Sequence, residues 1–248
     1  MLYYIYDGSF NGLLTAIYEI YYNKEVPQQL LPQGTADFQL FTEQYEIVTD
    51  ETKAAKVYEA IYSKISWSAL KNTYYAYLSE HPQNGIWIYE YLRIGWRLGS
   101  TIDLRLTDER VHRIHRLCHK VRTERHRMLG LIRFQLYKNN IYYAALEPDH
   151  NIAELIAPHF ADRMADQNWI IHDLKRNLAV VYNQNEWFST TFTLEHKLKL
   201  EAEEQYYQKL WQQYYDSIAI SNRLNPKLQK NFMPQRYWKH LVEKGERA

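Results

Sequence analysis

The chain has 248 residues, 46% hydrophobic and 24% charged, with a formal net charge of +1. That length and composition suit one large domain or two smaller ones with a sizeable core, and 8 Gly and 7 Pro exclude a collagen-like or low-complexity chain. A single cysteine, Cys118, excludes an intrachain disulfide, a cysteine-ligated iron–sulfur cluster and a CxxC zinc site.

Residues 2–6 (LYYIY) read as a strand, Asp7-Gly8-Ser9 as a turn, and Phe10–Tyr22 as a helix with Ser9 as its N-cap. The turn is one that can hold an anion at the helix N-terminus. Pro27, Pro32 and Gly34 predict a loop over 24–37, and Tyr45–Val48 a short strand. Asp50 caps a helix running to Ile65. Ser66–Glu80 and Asn84–Leu98 are two more helices, and Gly99–Leu106 is a connection. Thr107 is the expected cap of a helix that Gly130 stops near Met128. Leu131–Tyr137 and Ile141–Leu146 alternate as strands around a Lys138-Asn139-Asn140 turn, followed by a helix over Asn151–Met164. Trp169–His172 and Leu178–Tyr182 form a second strand pair. Thr193 caps a long helix, Leu194–Asp216, and Asn225-Pro226 and Met233-Pro234 open two short helices. The order predicts an α+β fold with a mostly antiparallel sheet: a ββαββ core, an N-terminal strand and many helices. Two parts are expected, 1–100 packing on a core of 101–248, or one single compact domain. The N-terminus carries no signal-peptide pattern and no apolar run reaches 18 residues, so a cytoplasmic, non-membrane protein is expected.

Charge is unevenly placed. Residues 1–100 hold 7 Lys/Arg against 11 Asp/Glu, residues 105–133 hold 9 against 3, and residues 205–248 hold 8 against 3. On a helical wheel the 107–128 helix separates three stripes. Val111, Ile114, Leu117, Cys118, Val121 and Met128 form an apolar face. Arg113, Arg116, Lys120 and Arg127 form a cationic line. His112, His115, His119 and His126 form a histidine line beside it. Four histidines over four turns cannot reach one ion, so no metal is expected, whereas segregated cations suit phosphates. In the C-terminal part Tyr206, Tyr207, Trp211, Tyr214 and Tyr215 interleave with Lys209, and Arg223, Lys227, Lys230, Arg236 and Lys239 follow. Rings among cations suit single-stranded nucleic acid, and a packing helix explains the rings equally well. The expected nucleic-acid-binding set is Arg113, Arg116, Lys120, Arg127, Arg133, Lys227, Lys230 and Arg236.

Three short clusters mix acids and histidines: Glu147, Asp149 and His150; His159 and Asp162, with Arg163 one turn after His159; His172 and Asp173. If the two hairpins share a sheet, Glu147, His150 and His172 could converge for general acid–base work. Caps and packing account for the same residues. No P-loop or dinucleotide fingerprint occurs, and no cofactor is expected.

The runs HKVRTERHRMLGLIRF (His119–Phe134), YYAALEPDHNI (Tyr142–Ile152), APHFADR (Ala157–Arg163) and WIIHD (Trp169–Asp173) resemble the DUF4130 family, a bacterial group described as probable DNA metabolism proteins. The opening YYIYDGSFNGLLTAIYE and the closing NPKLQKNFMPQRYW resemble it too. The resemblance implies a role beside a radical-SAM protein thought to act in DNA modification or repair. Some members carry a fused uracil-DNA-glycosylase-like domain, which this chain is expected to lack. It also lacks a three-cysteine cluster motif, so such chemistry is expected in a separate partner. The resulting expectation is a DNA-binding accessory protein. The alternatives are an enzyme acting on nucleic acid through the carboxylate–histidine group, and a protein–protein adaptor.

Overall fold

A computed structural model describes residues 2–35, 43–193, 200–218 and 220–244. The architecture is α+β, and the chain divides into two compact units, Met1–Arg122 and Thr123–Ala248. Among the described residues no helix is long and apolar enough to cross a membrane.

The first unit begins with β1 (Leu2–Tyr6), buried from Tyr3 to Tyr6, and α1 (Phe10–Asn23). Ser9 caps α1 by accepting the Gly12 N–H at 2.9 Å. The Asp7 carboxylate fills the anion position at this turn: its Oδ1 accepts the Ser9 N–H at 2.9 Å and its Oδ2 the Thr49 hydroxyl at 2.8 Å. The turn is therefore closed by the chain's own carboxylate. The expected loop over 24–37 contains a strand, β2 (Gln29–Pro32). The next strand, β3, is Glu43–Glu46. Both run parallel to β1, which lies between them. Local spacing cannot reveal this, because β2 is four residues ending in proline at a sheet edge.

Helices α2 (Glu51–Lys64), α3 (Trp67–Leu78) and α4 (Asn84–Leu98) follow the apolar periodicity, with Asp50 and Ser66 as N-caps. Gly85 lets α4 approach β2: a Cβ there would lie 2.3 Å from the Leu30 carbonyl oxygen. The connection Gly99–Leu104 is a 3₁₀ turn. Helix α5 (Glu109–Leu131) differs from expectation at both ends. Asp108, not Thr107, caps it, accepting the Arg110 N–H at 3.0 Å. Gly130 remains helical, since a glycine ends a helix only where φ turns positive, and here it does not.

The second unit is built on a five-stranded sheet in the order β4-β5-β6-β7-β8. Strands β4 (Gln135–Tyr137) and β5 (Ile141–Leu146) form a hairpin whose turn residues Asn139 and Asn140 have positive φ. Helix α6 (Ala153–Arg163) crosses over to β6 (Asn168–Asp173), parallel to β5, and β7 (Leu178–Asn183) returns antiparallel. This is the ββαββ order, and α6 packs on one face, with Phe160 5.2 Å from Phe134 and the Trp169 ring stacked on Tyr182. An unpredicted fifth strand, β8 (Trp187–Thr191), adds an edge. Its residues are all exposed, so they give little of the apolar alternation that marks a strand. Part of the expected Leu194–Asp216 helix, residues 194–199, lies outside the described residues. Helix α7 spans Glu204–Ser217. Helix α8 (Pro226–Phe232) is capped by Asn225, and a 3₁₀ segment, Gln235–His240, follows Pro234.

Candidate functional site

Helix α5 presents the faces its sequence prescribes. Val111, Ile114, Leu117, Cys118, Val121 and Met128 are all buried. Burial pushes the Cys118 thiol up to about 12, which disfavours its thiolate. The histidine line is interrupted: His115 Nε2 bonds Asp103 at 2.9 Å, while His112, His119 and His126 are exposed. Asp103 also accepts from the Tyr91 hydroxyl at 2.7 Å.

The cationic line is unequal. Arg113 pairs with Glu109 at 3.1 Å and lies over the Trp87 ring, so its charge is largely matched. Arg127 donates to the Asn231 carbonyl at 3.2 Å. Arg116 and Lys120 are exposed and have no ion-pair partner among the described residues. Burial, then the charges of Lys120 and Arg116, lower the pKa of His81. These two are the cations of the line that can meet an outside anion without first breaking a pair.

The six acid–histidine residues are brought into separate arrangements. Among the described residues no hydrogen bond or ion pair joins any two of their side chains, and no three His, Cys, Asp or Glu gather as metal ligands. Glu147 pairs with Lys239 and, at 3.1 Å, with His240. Asp149 pairs with Arg236 at 2.9 Å. His150 Nδ1 bonds Glu124, a residue that sequence reasoning missed. Glu124 sits at the edge of the apolar face of α5 and is 3% exposed. Its carboxylate also accepts the Asp149 N–H at 2.8 Å, the His150 N–H at 2.9 Å and the Tyr237 hydroxyl. Burial opposes its charge, but the bonds from His150, Tyr237 and Asp149 prevail and hold it at about 2. Asp173 is fully buried against Arg176 at 2.7 Å, and burial raises its pKa. His172 Nδ1 pairs with the Tyr143 hydroxyl at 2.8 Å, and burial lowers its pKa. His159 packs edge-on against Phe160.

The second unit carries two recesses with α7 between them. Tyr207, Trp211 and Tyr214 follow the i, i+4, i+7 spacing of one helix face. With Tyr142, Phe134 and Leu136 they line a groove of about 770 Å³, at which Arg163 is exposed. The neighbouring face of α7 turns Gln208 and Gln212 toward a smaller recess of about 220 Å³, shared with Gln135, Tyr143 and His240. Arg133, Gln208 and Val242 border both. Arg133 is fixed by Glu243, with nitrogen–oxygen distances of 2.6 and 3.2 Å, and lies over the Trp211 ring. Trp211 Nε1 donates to the same carboxylate at 3.0 Å. Burial works against the Glu243 charge, yet Arg133 outweighs it and its pKa is lowered. Of the other predicted cations, Lys227 and Lys230 are exposed on α8, and Arg236 lies over the Tyr237 ring while paired with Asp149. The signal for the groove was present as the Tyr/Trp spacing in 206–215. Arg163 stood out in the sequence only as a neighbour of His159, and nothing singled out Tyr142 or the glutamines.

These features define a two-unit α+β protein whose second unit is an open mixed sheet with an aromatic groove walled by a C-terminal helix. Residues 82–243 match the model of a family described as a domain of unknown function, DUF4130. The match covers more than half of the chain, and the protein belongs to that family. No curated protein matches it significantly.

Proposed function

We propose that this protein is a DNA-binding accessory protein that holds single-stranded DNA for a separate repair or modification enzyme. The observation that carries this reading is the groove of about 770 Å³ lined by Tyr142, Tyr207, Trp211 and Tyr214 with Arg163 exposed at it. Unstacked bases find π-faces there, and base–ring stacking contributes about 1–3 kcal/mol per base without demanding a sequence. In the first unit, Arg116 and Lys120, exposed and without an ion-pair partner among the described residues, offer phosphate contacts of their own. The radical-SAM or glycosylase-type partner comes from the family resemblance and carries the chemistry. The test is fluorescence anisotropy with single- and double-stranded oligonucleotides over a salt series. Single strands should bind more tightly, with affinity falling as salt rises. Absence of binding at 50 mM salt would remove the reading.

A second reading, a protein adaptor, rests on a different observation. Ile218, Ile220, Leu224, Leu228 and Phe232 are each more than half exposed on the C-terminal segment. Apolar side chains gathered in one exposed segment suit docking of a protein partner. Replacing Leu224 and Phe232 by serine should then abolish co-sedimentation with the partner enzyme and leave DNA binding in place.

A further inference from the structure

The first unit holds a cavity of its own, about 180 Å³, between α1 and α2, with Trp96 of α4 on its wall. Its lining follows from two helix faces. Tyr18, Tyr21 and Tyr22 stand on the face of α1 that meets α2, where residues three and four apart are neighbours. On α2 the lining residues Lys56, Ala60 and Lys64 are each four apart and share one face. Ala60 is the short side chain midway between the two lysines, and its methyl group leaves the space that the rings surround.

The walls have a definite chemistry. The Tyr18 and Tyr22 rings are 4.3 Å apart, and Tyr21 meets Trp96 edge-on at 5.2 Å. Trp96 Nε1 is sealed from solvent and has no partner among the described residues, so this indole shows the cavity its carbon surface. No amide side chain, serine, threonine or carboxylate lines the cavity among the described residues, so nothing there reads the hydrogen-bonding edge of a base. Charge is supplied by lysine alone. Lys53 lies over the Tyr18 ring and is matched by Glu19. Lys56 lies over the same ring, its Nζ 5.8 Å from the centre, and it and Lys64 are exposed with no ion-pair partner among the described residues. The chain thus neutralises Lys53 and leaves two cations at an aromatic cavity.

We infer that this cavity binds a small aromatic carboxylate, a single ring carrying one anionic group. Size sets the ring count: a cavity of about 150 Å³ lined by apolar side chains takes up benzene, and 180 Å³ is close to that volume. The ring packs edge-on or offset against Tyr18, Tyr22 and Trp96, where aromatic pairs gain beyond the area they bury. The carboxylate stays at the exposed rim and accepts charge-assisted hydrogen bonds from Lys56 and Lys64. A mostly apolar hollow with a few placed charges is the usual make-up of a small-molecule site. This site lies in the first unit and does not depend on the DNA reading.

The test is a ligand-observed saturation-transfer NMR titration of the full chain with benzoate, benzyl alcohol, cyclohexanecarboxylate and uridine monophosphate. Benzoate should bind about fivefold or more tightly than benzyl alcohol, which keeps the ring and lacks the charge. It should bind about threefold or more tightly than cyclohexanecarboxylate, which keeps the charge and lacks the aromatic ring. Lys56→Met with Lys64→Met should weaken benzoate about fivefold or more, and both positions are exposed, so the fold should persist. Ala60→Phe fills the cavity and should abolish binding, with circular dichroism confirming that each variant is folded. No binding of benzoate at 5 mM would overturn the inference. So would benzoate affinity unchanged in the folded lysine double variant or in folded Ala60→Phe, equal binding of the three single-ring probes, or tighter binding of the nucleotide than of benzoate.

Discussion

Replacing Glu124 by glutamine should be among the most costly conservative changes in the second unit. The carboxylate is 3% exposed and takes bonds from the Asp149 and His150 N–H groups, from His150 Nδ1 and from the Tyr237 hydroxyl. Its pKa is held at about 2 against an ordinary 4.5, which corresponds to about 3 kcal/mol favouring the charged form in the folded chain. Glutamine resembles the neutral form and also aims an N–H₂ at donors, so a loss of about 3 kcal/mol is expected at pH 7. Because the folded pKa is depressed, this stability is fully present above about pH 4.5. It is lost as pH falls toward about 2. Urea unfolding followed by tryptophan fluorescence at pH 7 and at pH 3 measures both effects. The unmodified chain should lose much more stability between these two conditions than Glu124→Gln. A variant within about 0.5 kcal/mol of the unmodified chain at pH 7, or one with the same acid slope, would refute the assignment of Glu124 as a charged clasp.

Tyr207→Ala with Tyr214→Ala removes two exposed rings from the groove and should weaken single-stranded DNA binding about tenfold or more, with melting changed little; unchanged affinity would refute the stacking role. Reversing Arg116 and Lys120 to Glu should lower the log–log salt slope on single strands by about 1.4, at a stability cost within about 0.5 kcal/mol. The same reversal at Arg113 should cost more stability and less affinity, since Arg113 is already paired with Glu109 and covers Trp87; melting curves and anisotropy separate the two. Gly85→Ala drives a methyl group against the Leu30 carbonyl, so α4 must shift from β2; a loss of about 1–3 kcal/mol is expected in thermal melting.

What the sequence determined by itself are the features set by neighbours a few residues apart. Ser9, Asp50 and Asn225 cap their helices through bonds to N–H groups two or three residues on, and each was legible; Ser66 was read as the first residue of its helix and proves to be its cap. The three stripes of α5 follow from a 3.6-residue period and needed no partner to define them. The ββαββ order was legible for the same reason, because alternation and an Asn-Asn turn are local. The groove was half legible: the Tyr207, Trp211, Tyr214 spacing marks one helix face but not whether that face is covered.

Tertiary structure decided everything that joins distant residues. Glu124 reads as an ordinary charge on a basic helix, and only its partners 25, 26 and 113 residues away make it a buried clasp. Arg133 reads as one more phosphate contact, but Glu243, 110 residues on, takes its charge. The acid–histidine residues looked like one group because they lie close in sequence around two strand ends. In the fold, Glu147 and Asp149 turn to Lys239 and Arg236, and His172 turns to Tyr143. A strand end fixes where a backbone stops. Which partner a side chain there meets depends on what the rest of the chain packs beside it, and no local period encodes that.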